Sequence, residues 1–395
     1  MNICYLYLHR LAGRGSGRYM QTLLKYFKAR KHTIHLVEAM RSKNSVLQGV
    51  NLKYVHVPYQ IPVYQGRSDI NSKVKLSQIS DTKFFDLIRR FAECGIKMSE
   101  KNKLDIIHAN HVSILPFSAY LTRKMTGTPY VVTAHGNGIL SSLESKRNFE
   151  VARVGLEESK KVIANSKFTK GILMKEFGLS GGKMKVVYPG VDTEKFRPQS
   201  DRIKAATKRR YGCEGKKIVY SSGTFVREKG FRYLLDAAKM YEKEDPDIVT
   251  LITGHGPYQK EMERIIKKNG LKNTKIVGWI LTKELIKLYS TADIFVTPTV
   301  QEEHSSMVSV ESLALGTPVI ATKVGIIPEI VSSDVGQLVE PGSPRAIAEA
   351  VLNRINDDSW IEKKGKKGRN LVMSRFSLKS CGRATEKVYK SALSK

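Results

Sequence analysis

Two glutamates, Glu303 and Glu311, lie in the stretch from Pro298 to Glu329, PTVQEEHSSMVSVESLALGTPVIATKVGIIPE, and their spacing could serve two sets of hydroxyl groups. Asp293 to Val296 reads as a short buried strand, Ser306 to Leu315 as a helix stopped by Gly316, and Pro318 to Ala321 as the next strand. Glu303 then stands just ahead of the helix and Glu311 within it. The start of a helix carries positive partial charge and free N–H groups. The backbone of Ser306, Met307 and Val308 could therefore receive phosphates, with Glu311 accepting hydrogen bonds from ribose hydroxyls and Glu303 from another polyol. Spacing alone better fits two solvated charges on a helix and its lead-in.

Three further groups of residues could do chemistry. Near the start, Asn2 to Leu8 reads as a strand, Gly13-Arg14-Gly15-Ser16-Gly17 as a turn, and about Arg18 to Ala29 as a helix capped by Ser16 or Gly17. Glycines there would let a phosphate approach backbone N–H groups, although a tight turn without a ligand explains them as well. It is not a Walker loop, because no Lys-Ser/Thr pair ends it. Next, His108, His111 and His135 fall near the carboxyl ends of two strands, where open α/β sheets hold ligands. The first pair has no nearby carboxylate except Asp105, so no zinc site is expected, and His135 is either a cleft residue or a hydrogen-bonded structural one. Finally, Ile218 to Ser222 reads as a strand that delivers a cationic loop, Gly223 to Gly230, carrying Arg227 and Lys229.

These residues need scaffolding strands, and the sequence supplies them. Candidates recur at Thr33 to Val37, Tyr54 to Val57, Asp105 to His108, Tyr130 to Ala134, Val162 to Ala164, Lys185 to Tyr188 and Val249 to Thr253, with helical patterns between most of them. That alternation predicts an α/β protein of two doubly wound parallel sheets. The turn-rich segment from Val187 to Pro198 is the expected linker, giving domains at 1–190 and 191–375 and a final helix over 376–395. The stretch from Pro58 to Ser80 exceeds the ~12 to 15 residues of ordinary loops. After it, Phe84, Phe85, Ile88, Phe91 and Ala92 form an apolar stripe at helical spacing, expected to pack in the core.

A chain of 395 residues suits two domains rather than one core. Four cysteines without paired spacing argue against a disulfide framework and fit a cytoplasmic protein, and no run reaches the ~18 apolar residues of a membrane span. Lys and Arg number 67 against 37 Asp and Glu, a formal charge of +30, which draws polyanions. Nucleotide phosphates, an anionic membrane surface and nucleic acid compete for that charge. Aromatics form only 8% of the chain and do not cluster with the lysines, so nucleic acid is the weakest of the three. From Ser359 onward there are eleven Lys and Arg against two Glu, centred on KKGKKGR at 363–369. A solvated basic helix is the plain reading, and a tether to the inner face of a membrane the sharper one.

The words around the two glutamates, Glu, seven residues, Glu, then SLALGTPVIAT, Val-Gly and PEIV, resemble the donor site of family-4 glycosyltransferases of the GT-B fold. The likeness extends to the glycine turn, to Pro-Gly-Val-Asp at the linker and to Val277-Gly278-Trp279-Ile280. It implies two Rossmann-like domains facing across a cleft and transfer of a sugar, with retention, from a UDP-, GDP- or ADP-sugar to a glycan or lipid-linked acceptor. Glu303 would contact the donor sugar and Glu311 the ribose; His135 would face the reacting sugar. Gly15, Ser16, Gly17 and Lys229 would hold the diphosphate, and Trp279 and Ile280 the base, with no metal or other cofactor. Two departures stand out: His304, Ser305 and Ser306 replace Gly-Phe-Gly, and Thr224 replaces an arginine for which Arg227 could substitute. They keep open a nucleotide-sugar-binding protein without turnover, and the charge keeps open a nucleic-acid binder.

Overall fold

The computed structural model describes residues 1–9, 11, 15–40, 45–62 and 74–394. Gly13 and Arg14 of the glycine turn, and residues 63–73 of the long loop, lie outside them. The chain divides into two compact domains, Met1–Gly190 with Leu378–Lys395, and Val191–Ser377.

The first domain runs β1 (Asn2–Tyr7), α1 (Ser16–Ala29), β2 (Thr33–Glu38), β3 (Asn51–Tyr54), α2 (Asp81–Asn102), β4 (Ile106–Asn110), α3 (Ile114–Thr126), β5 (Tyr130–Ala134), α4 (Gly136–Leu143), α5 (Lys146–Glu157), β6 (Lys161–Ala164), α6 (Lys167–Phe177) and β7 (Met184–Val186). Its seven strands lie in the order β3-β2-β1-β4-β5-β6-β7, all neighbours parallel. Strands such as β4 and β5 are buried along their whole length because helices cover both faces, and this is why they read as continuous apolar runs. The helices start where the sequence offers caps: Ser80, Ser145 and Ser166 each accept from a backbone N–H three residues on.

Three expectations need correction. β3 occupies Asn51–Tyr54, not Tyr54 to Val57; pairing ends where Val55 N–H donates to Glu38 O at 2.9 Å, and the chain then leads into Pro58, which cannot donate to a ladder. The cap of α1 is Gly15, at φ 56°, a left-handed conformation that suits glycine. Ser16 is already helical and its Oγ lies 3.0 Å from the Tyr7 hydroxyl. On α2, Phe84, Ile88, Phe91 and Ala92 are buried as expected, while Phe85 points outward and is 47% exposed.

The second domain runs α7 (Asp201–Tyr211), β8 (Lys217–Thr224), α8 (Phe231–Glu244), β9 (Ile248–His255), α9 (Gln259–Asn269), β10 (Thr274–Gly278), α10 (Thr282–Thr291), β11 (Ile294–Thr297), α11 (Met307–Ala314), β12 (Val319–Thr322), α12 (Ile327–Ile330), β13 (Gly336–Val339), α13 (Pro344–Ile355) and α14 (Asp358–Arg375). Its sheet order is β10-β9-β8-β11-β12-β13, again parallel. The last helix, α15 (Leu378–Leu393), belongs to the first domain. There Tyr26 donates to Glu386 at 2.9 Å, and the Tyr389 ring stacks on Phe27 at 5.2 Å.

KKGKKGR is not a freely solvated stretch. Gly365 and Gly368 form the buried side of α14 and press on the end of α11. Arg369 gathers three carbonyls, donating to Phe196 O at 2.5 Å, Ala314 O at 2.7 Å and Thr193 O at 3.0 Å. Lys367 pairs with Asp334 at 2.8 Å at the surface, so one of the run's exposed cations has a carboxylate partner.

A Cβ on Gly365 would lie 2.0 Å from Gly316 O, whereas one on Gly171, inside α6, would meet nothing within 4 Å. Gly365→Ala should therefore lose about 1–3 kcal/mol of stability through overpacking. Gly171→Ala should gain about 0.4–1 kcal/mol by restricting the unfolded chain. Urea midpoints for the two variants check the contrast.

Candidate active site

In the second domain three loops meet beyond the carboxyl ends of the strands: 225–230 after β8, 298–306 after β11 and 323–326 after β12. Backbone bonds lock them together. Val300 N–H donates to Glu228 O at 3.0 Å, Thr299 Oγ1 to the same oxygen at 3.0 Å, and Ile326 N–H to Glu303 O at 2.8 Å. Two glycines make the approach possible. A Cβ on Gly230 (φ 70°) would fall 1.9 Å from Pro298 O, and one on Gly325 (φ 53°) 2.2 Å from Glu303 O.

The loops bring Lys229 and Glu303 into a direct ion pair between Nζ and Oε2. Burial pushes the Glu303 carboxyl up, but the charge and hydrogen bond of Lys229 and the N–H of Ser306 outweigh it, leaving the group below the usual carboxylate range. Ser306 sits at φ 35°, turning its N–H back toward that carboxylate, while its Oγ lies 2.9 Å from Ser309 Oγ. Met307 and Val308 open α11, whose eight residues carry Glu311 in the second turn. Glu311 is 1% exposed. Neither glutamate is therefore a solvated charge, which removes the plainer alternative left by their spacing.

Other expected residues of this domain lie on neighbouring strand ends. Arg227 begins a single 3-10 turn, Arg227–Lys229, and its guanidinium rests over the Tyr258 ring at 5.8 Å. Thr224 is buried at the end of β8. Trp279 and Ile280 follow β10 directly after Gly278, and Trp279 is 59% exposed.

In the first domain, Gly15, Ser16 and Gly17 stand where α1 begins, and the histidines follow β4 and β5. His108 is structural: Nδ1 lies 2.6 Å from the Tyr389 hydroxyl and Nε2 2.6 Å from Thr133 Oγ1. With Tyr389 donating on to Tyr5 at 3.1 Å, Nδ1–H donates to Tyr389 and Nε2 accepts from Thr133. His111 adopts φ 79°, unusual without glycine, and its ring stands 4.7 Å from that of His135. His135 also meets Tyr19 edge-on at 5.1 Å, and its Nε2 is buried with no partner among the described residues. Burial holds the His108 and His135 imidazoles down to about 3 and drives His111 far below its ordinary value. Among the described residues no cluster of three or more His, Cys, Asp or Glu side chains is placed to hold a metal ion.

Sequence reasoning passed over Asn110 and Asn165, which end β4 and follow β6, and over Arg369. Asparagine at a strand end is common in turns, and an arginine inside a lysine run carries no distinguishing signal.

Two family descriptions match successive stretches of the chain: Glycosyltransferase Family 4 over residues 13–195 and Glycosyl transferases group 1 over residues 204–371. The chain belongs to the family-4 glycosyltransferases of the GT-B fold. It is 28% identical over 364 residues to an uncharacterized glycosyltransferase of Methanocaldococcus jannaschii, covering 88% of this chain and 91% of that one. It is 26% identical over 270 residues, 66% of this chain and 70% of the other, to the GDP-mannose-dependent alpha-(1-6)-phosphatidylinositol monomannoside mannosyltransferase of Mycolicibacterium smegmatis. The crystal structure of Anabaena HepE in complex with UDP shares its fold at a TM-score of 0.79 and 19% identity, over 99% of this chain and 100% of that one. No helix among the described residues is long and apolar enough to cross a membrane.

The buried neutral histidines set a pH dependence. A histidine held below its unfolded value binds fewer protons folded than unfolded, so stability rises with pH between the folded value of about 3 and the ordinary 6.5. Each of His108 and His135 should withdraw about 1.4 kcal/mol per pH unit as acid is added below 6.5. Denaturant midpoints at pH 7 and pH 5, followed by a probe in the first domain, should show a fall of about 2 kcal/mol per histidine. A flat profile would mean that these rings are not buried neutral.

Proposed function

We propose that this glycosyltransferase is a hexosyltransferase that takes its sugar from a nucleotide-sugar donor and passes it, with retention, to a hydroxyl of a glycan or lipid-linked acceptor. The observation that carries the reading is the Lys229–Glu303 pair ahead of α11, the helix that carries the buried Glu311. In such a transfer the bond from C1 to the diphosphate breaks and its electrons leave with the phosphate, the acceptor oxygen bonds to C1 in its place, and the acceptor's hydroxyl proton passes to the departing phosphate oxygen. Charge therefore grows on the diphosphate, and Lys229 with the N–H groups of Ser306, Met307 and Val308 is the group that would stabilise it. Gly15, Ser16 and Gly17 would add backbone N–H groups from the first domain. The chemistry asks for no metal or other cofactor.

Glu303 would turn from Lys229 to the donor sugar, Glu311 would hold the ribose, Trp279 and Ile280 would flank the base, and His135 would face the reacting ring. Arg227, exposed over the Tyr258 ring, would join Lys229 at the phosphates by leaving that ring, at a loss of about 0.5–1 kcal/mol. Hydrolysis is the poorer reading, because a glycosidase needs one carboxyl with a raised pKa as proton donor, and Lys229 pulls Glu303 the other way.

The relatives support a nucleotide-sugar donor without fixing its base, since one is named for GDP-mannose and HepE was crystallised with UDP. A cytoplasmic location at the inner membrane face fits the charge of +30 and the lipid-linked acceptor named for the mycobacterial relative. Binding to phosphatidylglycerol vesicles should then be strong at low salt and collapse at high salt, each nearby cation giving about 1 kcal/mol. Sedimentation measures it, and salt-independent or absent binding removes the membrane from the proposal.

Incubation with UDP-, GDP- and ADP-sugars should release the matching nucleoside diphosphate in the presence of an acceptor. Glu311→Ala should weaken the free nucleoside diphosphate by about 1–3 kcal/mol, whereas Glu303→Ala should spare it and damage turnover. Equal loss of nucleotide affinity in both variants would refute the assignment. Binding without release from any donor would leave a nucleotide-sugar-binding protein.

A further inference from the structure

Three adjacent strands of the first domain end on polar side chains that each keep one buried atom without a partner among the described residues. In register, Asn110 of β4 lies beside Thr133 of β5, and Ala134 of β5 beside Ala164 of β6, so His135 and Asn165 are the next residues of neighbouring strands. Strand alternation places all three on one face. Val131 and Ile163 share a core with Tyr5, Tyr19 and Tyr389, while Val132, Ala134, Val162 and Ala164 belong to the core on the opposite side. Asn110 falls on the face of His108, and His135 and Asn165 on that of Val131 and Ile163. The contact of His135 with Tyr19 agrees with this.

All three are more than nine-tenths buried, at 0% exposure for Asn110, 1% for Asn165 and 7% for His135. Asn110 donates from Nδ2 to His108 O at 3.3 Å, yet its Oδ1 has no partner among the described residues. The same holds for Asn165 Oδ1 and His135 Nε2. Buried polar atoms are nearly always paired in folded proteins, and several exceptions on neighbouring strand ends mark a place where a polar molecule would be held. Asn110 is level with Thr133, two residues short of His135 and Asn165, so the three atoms form a staggered row spanning about 12 Å at the usual strand spacing and rise.

We propose that Asn110 and Asn165, on either side of His135, receive hydroxyl groups of an uncharged sugar or polyol portion of the acceptor. The proposal rests on the glycosyltransfer reading above and names the substrate class for this side of it. The chemistry of the row selects the ligand. Amide oxygens only accept, so they ask for O–H or N–H donors and repel phosphate or carboxylate. No carboxylate stands among the three, so a cation gains little. The charged grip for a diphosphate is built separately in the second domain. A site that hydrogen-bonds a hydroxyl also rejects the analogue lacking it, which gives selectivity among sugars.

The test uses the full-length protein with methyl glycosides of glucose, mannose, galactose and N-acetylglucosamine, and with the corresponding sugar phosphates, in calorimetry and in transfer assays with UDP-, GDP- and ADP-sugars. At least one neutral glycoside should bind and accept. Asn110→Ser and Asn165→Ser should each raise its KM and Kd about tenfold, the loss expected for one hydrogen bond in a dry site. One monodeoxy form of that glycoside, poor with the wild type, should be discriminated less by the matching variant, which a merely structural asparagine would not cause. Melting temperature and affinity for the nucleoside diphosphate report whether the variants fold. Unchanged glycoside affinity in both folded variants overturns the proposal, as does exclusive use of the phosphorylated sugars or binding of none of the glycosides. Failure of nucleotide-sugar turnover alongside retained, asparagine-dependent glycoside binding would refute the transfer reading and leave this one standing.

Discussion

The second domain depends on how closely three of its loops can approach one another. Lys229 and Glu303 meet only because the backbone after β8 lies against Pro298 and the backbone after β12 lies against Glu303, at distances that exclude any side chain on Gly230 or Gly325. The ion pair is the chemical result of that steric constraint. It keeps a lysine and a carboxylate charged in a partly buried place where either alone would be expensive. It also sets both at the mouth of α11, whose N–H groups add to the positive potential. α14 then fixes α11 from behind, with Gly365 against Gly316 and Arg369 on Ala314 O. Helix position and loop position are thereby determined by separate contacts that agree.

The first domain solves a different problem. The ends of β4, β5 and β6 carry neutral groups beside buried tyrosines, and α15 supplies the hydroxyl that pins His108. Burial keeps the imidazoles uncharged. One domain thus carries a lysine paired with a carboxylate at its strand ends, and the other neutral histidine and asparagine side chains.

Much of this was legible in the sequence. The parallel sheets follow from apolar runs alternating with helical patterns, and β5 was placed to the residue because Tyr130 to Ala134 is apolar on both faces and bounded by turn residues. The glutamate spacing and the words after it gave the family. What stayed hidden depends on tertiary contact. Nothing in the local pattern tells that Glu303 pairs with a lysine 74 positions away, or that the glycines of KKGKKGR face a helix end. β3 was misplaced because an exposed edge strand such as NLKY shows neither apolar alternation nor a continuous run. The cap of α1 was misassigned because serine is the commoner cap, and only the left-handed backbone at Gly15 decides otherwise.

The placing of Lys229, beside Glu303, where a diphosphate would be held is most directly tested by calorimetry of UDP against UMP, GDP against GMP and ADP against AMP, on the wild type, on Lys229→Met and on Glu303→Ala. If the lysine grips the second phosphate, one diphosphate binds at least about tenfold tighter than its monophosphate, and the gap closes in Lys229→Met but not in Glu303→Ala. A wild type that binds the diphosphate and monophosphate alike, a gap that survives Lys229→Met, or one that closes in Glu303→Ala would contradict the roles given to the pair.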